Sequence, residues 1–363
     1  MTVSRRWITR RSSWIFRLHG EPDPSDSDPT SLPHLPVETT MKGSTPLGPG
    51  REFDRIRGVL RGASGAGEGV QVPPGDDATV LDPDLVISTD LAVEGIHFRL
   101  DWLDPHEAGA RAVGAAVSDL AAMGARLVGV LASVALPEGD LWAPRGAAFM
   151  AGIRDRVEAL GGQLLGGDLT RSPSHLLVDV VAVGRTGRPL LRSGARPGDE
   201  LWVTGHLGGA ATAVRLWGAG RSVPASLRLR YIRPEPRLAE AIWLVEEAGA
   251  RAGLDLSDGL AGDASHLAAA SGVGVVLEAS TLPLEPHPEV TLEEALHGGD
   301  DFEILVALPP GAAVDGRAEA FHRRFELPLT RVGVVRKGSG VSLLEPGHHS
   351  PVPLTRGGWD HFR

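Results

Sequence analysis

From about residue 51 onward, short apolar runs alternate with amphipathic or Ala-rich runs, and acids recur where the apolar runs stop. A chain patterned in this way buries strands against helices, which confines it to the α/β class in its mixed α+β form. Residues 85–98 (LVISTDLAVEGIHF) show the unit. A strand over 85–88 delivers Thr89 and Asp90 at its C-terminal end, and a short segment then carries Glu94 and His97. An apolar strand that ends in a hydroxyl and an acid is a common way for an α/β protein to build a site.

In the first half the pattern predicts a helix over 51–60, a strand over 78–81 and a long helix over 105–125. That long helix opens with Asp104 as N-cap and Pro105 at its first position, and buries Ala112, Ala116, Leu120 and Met123. A strand over 127–136, a helix over 144–160 and a strand over 176–184 follow. The Gly-rich segment 62–74 reads as a mobile loop, either a linker or a lid. A turn-rich junction near Gly187 divides a first domain, 51–187, from a second α/β domain, 188–363. The second half is expected to hold strands over 200–204, 273–277, 304–308, 330–335 and 341–344, with helices over 208–217, 236–248 and up to about residue 271.

Residues 1–50 differ from the rest. The first nineteen hold Arg and Ser but no acid, and 21–36 are dense in Pro, Ser and Asp, a composition that predicts disorder. They read as a dispensable extension, either a transit peptide or a start placed upstream of Met41. The net charge of −10 argues against a general nucleic-acid surface. The absence of Cys removes disulfides, thiolate metal sites and cysteine nucleophiles. The longest apolar run, 127–136, is too short to span a bilayer, so no membrane role and a cytoplasmic location are expected.

Six acidic turns carry the chemistry: Asp76-Asp77, Thr89-Asp90, Ser118-Asp119, Asp168, Asp255 with Asp258, and Asp300-Asp301. One Asp beside Gly or Ser is ordinarily a turn or a helix cap. As a set they are different. Carboxylates gathered in one cleft repel and do not all ionise unless cations bridge them. Hard oxygen donors favour Mg²⁺ or Mn²⁺ over zinc, and Mg²⁺ held by a few carboxylates is the usual partner of nucleotide phosphates. The pattern therefore points to metal-dependent phosphoryl chemistry and leaves the substrate open. Lys42 and Lys337, the only lysines, are each followed by Gly, so no GxxxxGK[ST] loop exists, and there is no HRD or DFG tripeptide. His97 reads as a substrate contact or a half-buried structural histidine, Arg192 as a phosphate clamp or a surface arginine, and Trp359 as a stacking platform or a core-closing ring.

In order along the chain, GDDA at 75–78, STD and EGIHF within 88–98, SDLAAMGA at 118–125, GGD at 166–168, LRSGARPGD at 191–199, LDLSDGL at 254–260, GGDDFE at 298–303 and GGWDHF at 357–362 resemble the thiamine-monophosphate kinases. That family is similar to a wider group with aminoimidazole ribonucleotide synthetase, selenide water dikinase and a hydrogenase maturation factor. The resemblance implies a two-domain aminoimidazole ribonucleotide synthetase-like fold whose N-terminal strands meet in a shared barrel in a homodimer. It also implies transfer of the ATP γ-phosphoryl group to thiamine monophosphate, with 51–187 as the ATP- and Mg²⁺-binding domain. By motif, Asp77, Ser88, Thr89, Asp90, Asp119, Asp168, Asp255 and Asp258 would hold several Mg²⁺ ions. Gly167, Asp168, Arg192 and Ser257 would contact ATP, and His97, Asp300 and Trp359 the thiamine substrate. No residue is assigned as a general base. Asp300 departs from the family, which more often has Glu there. A ligase or cyclase of the same group, and an inactive Mg-nucleotide scaffold, are the competing readings.

Overall fold

The computed structural model describes residues 45–60, 67–137, 142–355 and 357–359, so the expectations for 1–44, for 62–66 of the Gly-rich loop and for 360–362 of the closing turn lie outside the described residues. Helix α1 (Arg51–Leu60) comes first. A six-stranded sheet follows, made of β1 (Val70–Val72), β2 (Thr79–Leu81), β3 (Leu85–Val93), β4 (Arg126–Pro137), β5 (Gln163–Ser172) and β6 (Leu177–Arg185), in the order β1-β2-β3-β6-β4-β5. Between them run α2 (Pro105–Ala122) and α3 (Trp142–Ala159).

The second half holds β7 (Glu200–Thr204), α4 (Gly209–Gly218), α5 (Ala225–Ile232), α6 (Leu238–Glu246), β8 (Ala252–Asp255), α7 (Leu260–Ser271), β9 (Gly274–Glu278), α8 (Leu292–His297), β10 (Ile304–Leu308), α9 (Ala312–Phe325), β11 (Leu329–Arg336), β12 (Gly340–Leu344) and β13 (Val352–Pro353). Its strands form a seven-stranded sheet in the order β13-β12-β9-β11-β7-β10-β8. Among the described residues, only β4–β5 and β9–β12 pair in parallel and the other ladders are antiparallel, which makes the class the mixed one. Among the described residues, no helix is long and apolar enough to cross a membrane.

Helix α2 sits at the centre. Asp104 and Glu107 form a reciprocal capping box at its start, with Asp104 Oδ1 accepting from the Glu107 amide at 2.8 Å and Glu107 Oε2 from the Asp104 amide at 2.9 Å. Its Ala, Gly and Val positions are buried nearly all round. Ala108, Ala112, Val113 and Leu120 join the core under the first sheet, while Ala121 and Ala122 join a second cluster with Trp202, Leu244 and Phe321 from the other half. Small residues permit this. A Cβ on Gly152 of α3 would lie 1.9 Å from the His106 carbonyl oxygen, so the two helices cross with backbone in contact.

The structure corrects several boundaries. Strand β3 runs to Val93, so Thr89 and Asp90 lie in its middle, paired with Val181 and Val180 of β6, and not at a strand end. The Gly166-Gly167-Asp168 turn is instead part of edge strand β5, where a Cβ on Gly167 would meet the Ala132 carbonyl at 1.9 Å. Part of the expected loop is β1, hydrogen-bonded to β2. Helices α5 and α9 are not among the elements that the sequence pattern predicts; in both, Arg is interleaved with the apolar residues, which blurs the helical stripe.

The backbone contact at Gly152 makes a test. Gly152→Ala should lower stability by about 1–3 kcal/mol through overpacking, read as a lower urea midpoint with an unchanged slope. An unshifted midpoint would mean that the α2–α3 crossing relaxes freely.

Candidate active site

Three segments bring carboxylates together, and a fourth adds a hydroxyl. Asp77 comes from the turn before β2, Asp119 from α2, and Asp255 from the end of β8; their carboxylate oxygens lie within 4.8 Å of one another. Ser88 of β3 completes the group, since its hydroxyl donates to the Asp119 carboxylate and to the Asp77 carbonyl oxygen at 3.3 Å. The Ser118 hydroxyl donates to Asp255 Oδ2 at 2.6 Å. Alternation along β3 sends Ser88 and Asp90 to this inner side.

Arg192 closes the cluster. Its Nε and Nη2 both donate to Asp77 Oδ1, at 3.1 and 2.5 Å, while its backbone amide donates to Asp76 Oδ1 at 3.1 Å. Burial alone would lower the guanidinium pKa, but the Asp77 carboxylate overrides it and the pKa is raised. One cation does not offset the crowding. Burial, then Asp77, pushes Asp76 up to about 6. Burial, again followed by Asp77, pushes Asp255 up to about 7. Asp119 is raised well above the carboxylate range by burial and by Asp255 and Asp77.

A divalent cation fits this set. The donors are hard oxygens, three converge, and Asp77 Oδ2 is buried with no hydrogen-bond partner. In a second grouping, Asp258 with Asp263 and His266, the side chains of Asp263 and His266 are engaged by backbone amides. Asp263 Oδ2 accepts from the amides of Asp258 and Gly259, at 3.1 and 3.0 Å, and His266 Nδ1 accepts from the Gly48 amide at 3.0 Å.

Beside the cluster lies a second group. The GGDD turn doubles back on the loop after β8, with the Asp300 amide donating to the Ser257 carbonyl at 2.9 Å. Asp300 itself adopts φ 70°, the left-handed region. Its carboxylate pairs with Arg111 of α2 at 2.7 Å. Arg111 also donates to the backbone carbonyls of Tyr231 (2.5 Å) and His97 (3.4 Å), so His97 and Asp300 are tied to one guanidinium. The His97 ring accepts from the Val93 amide through Nδ1 at 3.0 Å. Trp359 is exposed, and its amide donates to the Asp258 carbonyl at 2.7 Å.

Not every expected site residue faces this cleft. Thr89 points to the other face of β3, where its hydroxyl donates to Asp179 Oδ1 at 2.6 Å. Asp168 pairs with Ser133, which pairs with Asp179, so it shares that outer face. The structure thus separates the side chains of Thr89 and Asp168, and Gly167 on the same edge strand, from the Asp77, Asp119 and Asp255 group. Residues that sequence reasoning missed are Arg111, Tyr231, Asp263 and His266. Arg111 left a signal, as a lone long cation within a run of Ala, Gly and Val.

The raised acids set a pH dependence. Asp255 has a folded pKa of about 7, above its ordinary 3.8, so the native state holds more protons than the unfolded chain between those values. Stability measured by urea denaturation in EDTA should therefore fall as pH rises from about 4 to 7. Asp255→Asn should flatten the slope, and a slope of opposite sign would show that burial and crowding do not govern these groups.

Comparison with known proteins places the chain. It matches AIR synthase related protein, N-terminal domain, over residues 75–186, and AIR synthase related protein, C-terminal domain, over residues 196–344. It is 33% identical to the thiamine-monophosphate kinase of Escherichia coli K12 over 86% of this chain and 96% of that protein. It is 37% identical to the thiamine-monophosphate kinase of Mycobacterium tuberculosis over 73% of this chain and 84% of that one. Among solved structures it resembles AaThiL complexed with AMPPCP and TMP, at 29% identity and TM-score 0.70, over 85% of this chain and 96% of that one. The hydrogenase maturation protein HypE, at 20% identity and TM-score 0.63 over 77% of this chain and 92% of that one, shares the fold alone. The chain belongs to the AIR synthase related proteins, within the thiamine-monophosphate kinase family.

Proposed function

We propose that this protein transfers the γ-phosphoryl group of ATP to thiamine monophosphate, yielding thiamine diphosphate and ADP. One observation carries the reading: the buried convergence of Asp77, Asp119 and Asp255, with Arg192 paired to Asp77, next to the His97–Arg111–Asp300 group. Its support is the similarity to thiamine-monophosphate kinases over most of the chain.

The chemistry follows from charge. An oxygen of the acceptor phosphate forms a bond to the γ-phosphorus as the bond to the β,γ-bridging oxygen breaks and its electron pair leaves on ADP. That acceptor oxygen is already anionic, so no side chain has to take a proton, and no general base is assigned. The obstacle is bringing two anionic groups into line. Mg²⁺ held by Asp77, Asp90, Asp119, Asp255 and Asp258 would supply charge neutralisation when bound. Ser88 and Ser118 orient Asp119 and Asp255 through their hydroxyls. Arg192 adds fixed positive charge on the nucleotide side, where Ser257 is exposed. His97, Asp300 and Trp359 would face the thiamine moiety.

We also read residues 51–187 as the ATP- and metal-binding domain and 188–363 as a second α/β domain. The outer face of the first sheet supports a homodimer. Leu91, Val128, Leu131, Leu164, Leu165 and Leu169 are exposed there and along its edge, more apolar surface than a monomer's sheet ordinarily leaves in water. A second copy across that face would also bring Thr89, Asp168 and Asp179 under cover, in the shared barrel that the family resemblance implies.

Incubation of the purified protein with ATP, Mg²⁺ and thiamine monophosphate should yield thiamine diphosphate by chromatography, and ATP consumption without that product would sink the reading. Asp90→Asn should cut kcat by about 100-fold or more at normal Mg²⁺ with an unchanged circular dichroism spectrum. Leu131→Glu should shift the sedimentation mass from two chains to one; a wild-type protein that sediments as one chain would exclude the dimer.

A further inference from the structure

Arg111 is 6% exposed and lies in a stretch of α2, from Ala108 to Val117, whose other residues are all Ala, Gly or Val. A guanidinium in such a place is costly unless every side of it is satisfied. It is satisfied by three segments far apart in sequence: the His97 carbonyl at 3.4 Å, the Tyr231 carbonyl at 2.5 Å and Asp300 Oδ2 at 2.7 Å. Its Cζ also stands 3.9 Å from the centre of the Tyr231 ring. The Tyr231 hydroxyl donates to the same His97 carbonyl at 3.1 Å, which closes the loop of contacts.

This arrangement has a direction. His97 follows β3, and Asp300 precedes β10, so the two belong to different sheets. Among the described residues no backbone ladder joins the two sheets, and Arg111 links the two residues. Asp300 also holds a left-handed backbone, φ 70°, which a non-glycine residue keeps only where its surroundings over-determine it. Its fixtures are the Ser257 carbonyl behind its amide and Arg111 at its carboxylate. The nucleotide-side cation, Arg192, is engaged with Asp77 and takes no part.

We propose that Arg111 is the positioning residue of the acceptor subsite: by spanning His97 and Asp300 it fixes the spacing in which the thiamine phosphate is held. The inference rests on the kinase reading above. A guanidinium is required because its planar fork serves two carbonyls and a carboxylate together, which an ammonium on a flexible stem does not.

Steady-state kinetics of the full chain separate this from a structural role. Arg111→Gln should raise KM for thiamine monophosphate about tenfold while KM for ATP stays within about twofold. Arg111→Lys should fall between wild type and Arg111→Gln, and it carries the comparison where Arg111→Gln does not fold. Asp300→Asn should raise the acceptor KM alone, and in the Arg111→Gln background it should add less than about twofold, because the two act as one unit. Equal rises in both KM values, an unchanged acceptor KM, or multiplying effects in the double variant would overturn the proposal. A wild-type protein that forms no thiamine diphosphate would instead remove the kinase reading itself, and the acceptor role with it.

Discussion

Like-charge crowding organises this molecule. Asp77, Asp119 and Asp255 approach within 4.8 Å of one another where water is largely excluded, and Asp76 and Asp90 stand beside them. Such a group destabilises the fold unless something answers it. Arg192 answers part of it through Asp77, the serine hydroxyls of Ser88 and Ser118 answer part, and raised carboxyl pKa values absorb the rest. Strain of this kind is retained where it is useful, since a site that repels itself is a site prepared for cations and phosphates.

Helix α2 makes the crowding possible. It supplies Asp119 to the cluster and Arg111 to the group with His97 and Asp300, eight positions apart along a helix buried on both sides. The small residues let it come close to α3 on one side and contribute Ala121 and Ala122 to the core of the second half on another. A larger side chain at these positions would push apart the segments that carry the site. Packing and site geometry are therefore one problem in this helix: the spacing that fills the core also sets the distance between the carboxylate cluster and the Arg111–Asp300 pair.

Strand pleating divides the acidic residues into two populations. Ser88 and Asp90 lie on the inner side of β3, with the cluster; Thr89 lies on the outer side, bonded to Asp179, and Asp168 follows it through the register of β6, β4 and β5. Neighbours in sequence thus serve opposite faces of one sheet. The outer face is also where apolar side chains stand uncovered, so the acids there belong to a surface of different character from the cleft.

Much was legible in the sequence. Ile304–Leu308 and Glu200–Thr204 follow directly from their apolar runs, and Asp104 with Pro105 marks the start of α2, because local propensity and capping depend on neighbours a few residues away. The acidic motifs likewise pointed to phosphoryl chemistry, and their residues, taken in order, carried the resemblance to the family that the comparisons show. What the sequence by itself could not decide is which side each residue serves. That depends on strand register, on the extension of β3 beyond Ser88, and on the meeting of Arg111 with Tyr231 and Asp300, which are 120 and 189 positions further along. Local pattern sets the elements; only long-range pairing and packing set their faces, and with them the division between the carboxylate cluster, the Arg111–Asp300 group and the outer face of the sheet.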